Sequence, residues 1–345
     1  MKKILRPISR IYLLGMSIRN KYYSSNLVSQ ITPPLFTICV GNISWGGTGK
    51  TPICEYLLNF FNKKNISPVL ISRGYKGRPP RYPFSVKESD PVCFTGDEPL
   101  MLKRLCPFAD VVVDPKRERG LFFAWKKFKP HVAILDDGFQ YVKLKRHLDI
   151  VLFTKDDLTK NWNKVIPYGP WREGENSITR ANVLMVNTTG QKKQEMKDLA
   201  NKKLKVYNKP IFLFNTKIRS ISDIKNPNSI PDKIPKRYIL VVGIGNPEKV
   251  YKSAKEYFGT LPIKFIKYPD HYRYTKKDIS FLQNLGKKYR AAIITTQKDA
   301  VKLNEHINFR IYALNLDVEI HPELHTKKRF EKIIEESFLK YKSSH

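Results

Sequence analysis

Apolar positions recur along the chain with two periods, and the first belongs to a helix. Steps of three, four and seven link Ile4, Ile8, Ile11, Ile18 and Tyr22, with Leu5, Tyr12, Leu13 and Leu14 alongside. That spacing predicts an amphipathic helix within residues 1–25, beginning near Pro7 because proline is tolerated in a first turn. Residues 35–40, Leu-Phe-Thr-Ile-Cys-Val, are a continuous buried-strand run, and Ile53, Tyr56, Leu57, Phe60 and Phe61 then return to helical spacing. Further strand-like runs at 68–72, 111–113, 132–135, 150–153 and 183–186 alternate with helical stretches. This alternation predicts an α/β fold with a mostly parallel sheet and helices on both faces. A lysine-dense helix at 192–205 and a run at 211–214 follow, then Pro227, Pro231 and Pro235, which read as a linker or β-ribbon. A second, smaller α/β unit opens at 238–242 and takes in a strand at 291–295 and a helix at 327–339. The expected organisation is a helix over 1–25, a larger unit over 26–215, a linker or ribbon over 216–237 and a smaller unit over 238–345.

The run at 35–40 leads into Gly41-Asn42-Ile43-Ser44-Trp45-Gly46-Gly47-Thr48-Gly49-Lys50-Thr51-Pro52. Strand, glycine-rich turn, Gly-Lys-Thr and helix together are the context of a phosphate-binding P-loop. Glycines let successive amides turn inward onto phosphate oxygens, helped by the helix N-terminus. Ser44, Trp45, Gly46, Gly47, Thr48, Gly49, Lys50 and Thr51 are therefore the expected nucleoside triphosphate site. Lys50 is assigned to the β- and γ-phosphates and the Thr51 hydroxyl to a Mg²⁺ shell. Ser44 stands where the strict pattern has glycine. The partner strand is 131–138, His-Val-Ala-Ile-Leu-Asp-Asp-Gly, ending in Asp136 and Asp137. Neighbouring side chains on a strand face opposite ways, so one of the two holds the metal or its water unless the strand has already ended. The spacing leaves open which.

Composition narrows the class. The 345 residues are 41% hydrophobic and 12% aromatic, enough for a sizeable core. No apolar run approaches the roughly 18 residues of a membrane span, and four cysteines without a CxxC pair argue against a zinc site or a disulfide scaffold. Lys and Arg number 63 against 31 acids, a formal charge of +32. Nucleic acid, an anionic membrane, phosphorylated substrates or a lysine-rich composition would each account for it. The charge is uneven, because Glu55 is the first acid in the chain. Lys2, Lys3, Arg6, Arg10, Arg19 and Lys21 accompany the first apolar stripe, which suits a helix lying in a membrane interface or one covering a core.

Other segments carry chemistry less specifically. Gly96-Asp97-Glu98-Pro99 is a turn with paired acids before a helix; Lys116-Arg117-Glu118-Arg119 could meet phosphate. Tyr168 with Pro170-Trp171-Arg172-Glu173 groups aromatic and guanidinium character suited to a sugar or phosphate. His271 lies in the loop Tyr268-Pro269-Asp270-His271-Tyr272. Gly243-Ile244-Gly245 lacks the third glycine of a dinucleotide fingerprint and reads as a tight turn.

Taken together, these segments resemble the tetraacyldisaccharide 4′-kinase (lipid A 4′-kinase) family from near Pro7 to about Leu303. The matching pieces are Gly41–Pro52, Ser72-Arg73-Gly74-Tyr75, Gly96–Pro99, Asp136-Asp137-Gly138-Phe139-Gln140, Pro167–Glu173, Gly243–Pro247, Pro269-Asp270-His271 and Lys298–Leu303. Trp171, Gly174 and Gln297 depart from the family pattern; the first two fall where acceptor contacts are implied, away from the phosphate machinery. The resemblance implies transfer of the γ-phosphate of ATP, with Mg²⁺, to the 4′-hydroxyl of tetraacyldisaccharide 1-phosphate, forming lipid IVA. It implies a peripheral enzyme on the cytoplasmic face of a bacterial inner membrane, with an anionic membrane surface as partner. Asp97 would act as base, with His271 from the second unit orienting it or sharing its proton. Thr51, Asp136, Asp137 and Glu98 would supply the metal shell, and Arg73, Tyr75, Arg117, Arg119, Gln140, Arg172 and Glu173 the acceptor contacts. A monomer that binds no nucleic acid is expected. The rival readings are a nucleic-acid-stimulated ATPase, which lacks a recognition helix, and a GTPase or metallochaperone, for which Lys298 and Asp299 are wrongly spaced.

Overall fold

The computed structural model describes residues 5–25, 29–227, 229–303, 307 and 309–344. Lys2, Lys3 and Ile4 of the predicted first helix lie outside the described residues. Helix α1 (Leu5–Ser24) precedes β1 (Phe36–Asn42), α2 (Lys50–Asn62), β2 (Pro68–Ser72), β3 (Phe84–Ser85), α3 (Val92–Thr95), α4 (Asp97–Leu105), β4 (Asp110–Val113), α5 (Arg117–Phe128) and β5 (Val132–Asp136). Then come β6 (Leu148–Phe153), α6 (Lys155–Leu158), β7 (Val183–Asn187), α7 (Lys193–Leu204) and β8 (Ile211–Asp223). The rest is β9 (Tyr238–Val242), α8 (Pro247–Phe258), β10 (Lys264–Lys267), α9 (Lys276–Tyr289), β11 (Ala292–Thr296), α10 (Gln297–Leu303), β12 (Ile311–Leu324) and α11 (Phe330–Ser343).

One twelve-stranded sheet carries both units, in the order β10-β9-β11-β12-β8-β7-β6-β1-β5-β2-β4-β3. Strands from β4 to β8 are mutually parallel, as are β10, β9, β11 and β12, and the antiparallel β8–β12 ladder joins the two sets. Helices cover both faces, so β1, β2, β5, β6 and β7 are buried at every position and read as unbroken apolar runs. Each unit has its own core on either side of the sheet.

A ribbon joins the units, one of the two forms expected of the connection, but it is not formed within 216–237. Its two strands are β8 and β12, some ninety positions apart, and only the start of β8 shows as an apolar run. Both ends of β8 are buried, but its middle, Asn215–Ser220, is partly exposed, because there it leaves one core before joining the other. The C-terminal helix also departs from expectation. Because β12 runs back along the ribbon, α11 packs on the larger unit, where Phe338 lies with its ring centroid 5.3 Å from Phe36 and 6.0 Å from Phe61. The carboxyl ends of β1, β2, β5 and β9 all face a cleft of about 1960 Å³ between the units, the usual position of a ligand site in parallel sheets.

Glu55 on α2 borders this cleft below the ribbon. Burial, opposed by Arg219 and reinforced by Asp317, pushes its carboxyl up to about 7. An acid raised on folding carries no penalty below its unfolded value of about 4.3, a growing one up to its folded value and the full penalty above. Glu55→Gln is therefore expected to raise Tm by a few degrees at pH 8, with the gain vanishing near pH 4; a pH-independent difference in thermal melts would contradict this.

Candidate active site

The end of β1 turns into the P-loop through two left-handed glycines, Gly46 at φ 128° and Gly49 at φ 98°. A side chain at Gly49 would strike Asn187 and Phe214, whereas Gly46 and Gly47 face open space. Gly49 caps α2 without any side-chain cap, so the first helical amides point toward the cleft. The loop is braced from both sides. Asn187 Nδ2 donates to the Thr48 carbonyl at 3.0 Å, and Trp45 N donates to the Pro170 carbonyl at 2.9 Å. Thr48 Oγ1 is buried with no hydrogen-bond partner, a free donor inside an amide cradle that fits a phosphate oxygen.

Strand β5 ends at Asp136, and Asp137 turns into the left-handed region at φ 52°. The strand has ended between them, so both carboxylates reach the cleft instead of opposite faces. Ser72 Oγ donates to Asp136 Oδ2 at 3.1 Å. Burial, then the charges of Glu98 and Asp137, push the Asp136 carboxyl up to about 7. Burial also acts on Asp137, but Lys50 at 3.6 Å and the two-pronged Arg172 at 2.8 and 3.0 Å outweigh it and hold that carboxyl at about 2. Lys50 Nζ also donates to Asn42 Oδ1 at 3.1 Å. Two adjacent acids are thus driven apart, the pattern of a charged site with divided roles. Thr51, Glu98, Asp136 and Asp137 all line the cleft with hydroxyl or carboxylate oxygens, a hard donor set that fits Mg²⁺. Among the described residues no group of three or more His, Cys, Asp and Glu side chains could hold a metal ion by itself.

Facing the P-loop, Gly96 at φ 81° starts α4 so tightly that a Cβ would lie 2.6 Å from the Tyr75 carbonyl. This turn sets Asp97, largely buried, at the first position of the helix. His271 comes from the second unit at φ 61°, a left-handed conformation uncommon for histidine. Its Nδ1 lies 3.0 Å from Asp97 Oδ2, and Tyr75 packs edge-on against its ring at 5.4 Å.

Of the residues expected at the acceptor, Arg73, Tyr75, Gln140 and Arg172 line the cleft. Three others lie elsewhere. Arg117 is buried, donating to the carbonyls of Asp114 and Asp136, and Arg119 forks onto Asp114 at 2.7 and 2.8 Å. Glu173 is buried beneath α1, where it accepts from Arg19, Asn20 and Arg180. Their charges are taken up by neighbouring elements and not by the cleft. The sequence reading missed Asn42 and Asn187, whose amides hold the P-loop; an asparagine carries no spacing signal of its own.

A family model described as Tetraacyldisaccharide-1-P 4′-kinase matches residues 1–337. The chain belongs to that family. The tetraacyldisaccharide 4′-kinase of Nitratidesulfovibrio vulgaris is 33% identical over 327 residues, 95% of this chain and 91% of its own. That of Oleidesulfovibrio alaskensis is 34% identical over 322 residues, covering 92% and 88%. The structure of an "apo" form of LpxK from Aquifex aeolicus in complex with ATP superposes with a TM-score of 0.76 at 27% identity, covering 98% and 99% of the two chains.

The departures from the family pattern take on a different meaning in the structure. Trp171 does not reach the acceptor side: it is fully buried against Trp162 at 5.2 Å and bridges Ser44, while Arg172 N donates to the Ile43 carbonyl at 2.7 Å. It braces the start of the P-loop from behind. Gly174 allows α1 to approach, since a Cβ there would lie 3.0 Å from Leu13. Gln297 lines the cleft and donates to Asn315. Lys50→Ala is expected to lower kcat/KM by about 10²-fold or more in steady-state assays, because it removes the cation poised for the transferred phosphate. More than half of the wild-type turnover would contradict the assignment of the loop.

Proposed function

We propose that this kinase transfers the γ-phosphate of ATP to the 4′-hydroxyl of tetraacyldisaccharide 1-phosphate, forming lipid IVA, with Asp97 as the base. The observation that carries this reading is the 3.0 Å contact of Asp97 with His271 on the wall that faces Lys50 across the cleft. A sugar hydroxyl is a poor nucleophile, and a carboxylate in line with the phosphate can accept its proton as transfer proceeds. The O4′–phosphorus bond forms, the bond from phosphorus to the bridging oxygen of ADP breaks, and the proton passes to Asp97. Lys50 and the P-loop amides hold the phosphates; Thr51, Glu98, Asp136 and Asp137 would hold Mg²⁺, which neutralises phosphate charge when bound. Arg73, Tyr75, Gln140 and Arg172 are positioned to meet the anionic sugar.

Helix α1 supports delivery of the acceptor from a membrane surface. One face docks on the larger unit: Ser9 Oγ donates to the Val165 carbonyl at 3.0 Å and Tyr12 OH to the Arg172 carbonyl at 3.1 Å. The opposite face exposes Ile8, Ile11, Leu14, Ile18 and Tyr22, with Ile11 72% and Leu14 63% exposed. Between these faces, Tyr12, Met16 and Arg19 line the mouth of the cleft. No helix among the described residues is long and apolar enough to cross a membrane. An apolar stripe with basic flanks lying flat on anionic lipid at the cytoplasmic face suits this geometry.

Incubation of the protein with γ-labelled ATP and the disaccharide 1-phosphate on anionic vesicles is expected to place label on the lipid; no transfer would contradict the reaction. The double substitution Ile11→Ser/Ile18→Ser is expected to weaken vesicle binding about tenfold with Tm unchanged, since both side chains are exposed. Equal partitioning of the two proteins would overturn the membrane assignment alone.

A further inference from the structure

The turn Gly243-Ile244-Gly245-Asn246-Pro247 between β9 and α8 faces the same space as the P-loop, since Ile244, Gly245 and Asn246 line the cleft. It is held from behind: Gly243 N donates to Asp299 Oδ2 at 2.9 Å, and α8 packs on β8 of the ribbon. Beyond the turn, α8, the middle of the ribbon and the loop after β7 enclose a second cavity of about 670 Å³. Cavity and cleft are continuous, because Thr189, Thr216, Asn246 and Lys249 line both. Their junction lies beside the P-loop. Asn187, whose Nδ2 braces Thr48, also accepts from Thr189 N at 3.0 Å. Among the described residues that line both spaces, Lys249 alone carries a charge.

An ammonium is costly at this place. Lys249 stands in the first turn of α8, where the helix dipole disfavours a cation. Burial pushes its pKa down to about 8, with no acid offsetting the effect. Of the acids in the cavity wall, Glu248 accepts from Lys267 at 2.6 Å and Glu319 from Lys217 at 3.1 Å. Among the described residues the Lys249 ammonium has no hydrogen bond or ion pair. A cation that is desolvated, unpaired and set against a helix dipole destabilises the protein by itself, and the partner it fits is an anion brought by a ligand.

We propose that Lys249 binds the α-phosphate of ATP, with the β- and γ-phosphates on the P-loop and the nucleoside directed into the cavity between α8 and the ribbon. In ATP the α-phosphate joins the nucleoside to the rest of the phosphate chain, and Lys249 stands where the cavity joins the P-loop cleft. An ammonium on a flexible stem meets a phosphate oxygen as a point charge, without the fixed geometry a guanidinium requires. The nucleotide is then held by Lys50 from the larger unit and by Lys249 from the smaller one, so ATP itself ties the two units together. This rests on the P-loop holding the phosphate chain and is independent of which residue acts as the base.

Isothermal titration of the full-length protein with Mg²⁺–ATP and with Mg²⁺–tripolyphosphate at pH 7, where the ammonium is protonated, tests this. Lys249→Met keeps the apolar stem and removes the charge. It is expected to weaken both ligands by the same factor, between about tenfold and about a hundredfold, because tripolyphosphate supplies a phosphate at the α position and no nucleoside. Lys249→Arg is expected to restore most of the affinity for both. Thermal melts without nucleotide are expected to show Lys249→Met more stable than the wild type, the opposite of what loss of a structural contact does. Unaltered affinity for both ligands would overturn the proposal, and so would a loss confined to ATP, which places Lys249 against the nucleoside. Lys249→Gln, which stays polar, repeats the binding measurement and decides it even if Lys249→Met fails to fold. Lys50→Ala separates the two claims: unchanged tripolyphosphate affinity in that variant would contradict the P-loop reading, while the Lys249 result stands or falls separately.

Discussion

The contact between Asp97 and His271 joins side chains 174 positions apart, each anchored in a unit with its own core. Nothing local in either segment creates it. It exists because β8 and β12 form one long antiparallel ladder, so the parallel sheet of the larger unit continues into that of the smaller one. The ladder fixes both the distance and the facing of the two sets of strand ends. A loop linker would leave the approach of His271 to entropy, whereas the ribbon pairs backbone groups along most of its length and still leaves its middle partly exposed. The packing of α10 on α4 and the return of the chain through α11 to the first core add constraints at other points of the same assembly.

The cleft is organised as a series of alternating charges. Asp137, Glu98, Asp97 and Asp270 are interleaved with Lys50, Arg172, Lys298 and Lys302 at distances of 2.8 to 3.9 Å, and Asp136 lies beside them. Partly buried carboxylates so close together would repel one another without these cations. The different treatment of neighbouring acids follows: Asp137 stays charged between Lys50 and Arg172, while burial and nearby acids disfavour the charged form of Asp136. A phosphate chain laid across the P-loop would engage Lys50 and relieve Asp137 of one partner. The network is thus poised to exchange its internal ion pairs for contacts to substrate.

The elements nearest the P-loop were legible in the sequence because local rules specify them. A buried parallel strand reads as an apolar run, and a glycine-rich turn before Lys50 has few other uses. The strand ending in Asp136 and Asp137 was equally plain, but the left-handed turn that brings both acids to one cleft was not, since aspartate gives no sign of φ 52°. A ribbon was one of the two forms expected of the connection, but its strands were not located, because β8 and β12 alternate buried and exposed positions irregularly and pair across about a hundred residues. Arg117, Arg119 and Glu173 looked like binding groups because charge in a motif reads the same whether it meets a ligand or Asp114 and α1. Lys298 and Lys302 gave the converse case: a lysine pair one turn apart on a short helix resembles a solvated face until α4 is seen packed against it.

The most direct test of the account is a double-mutant cycle on kcat with Asp97→Ala and His271→Ala in the intact enzyme at saturating ATP. If the two side chains act as one unit across the cleft, each single substitution lowers kcat strongly with little effect on ATP affinity, and the double variant is hardly worse than the worse single one. Losses that multiply would show that the two residues act independently, and the ribbon-held contact at the centre of this account would have no role in catalysis.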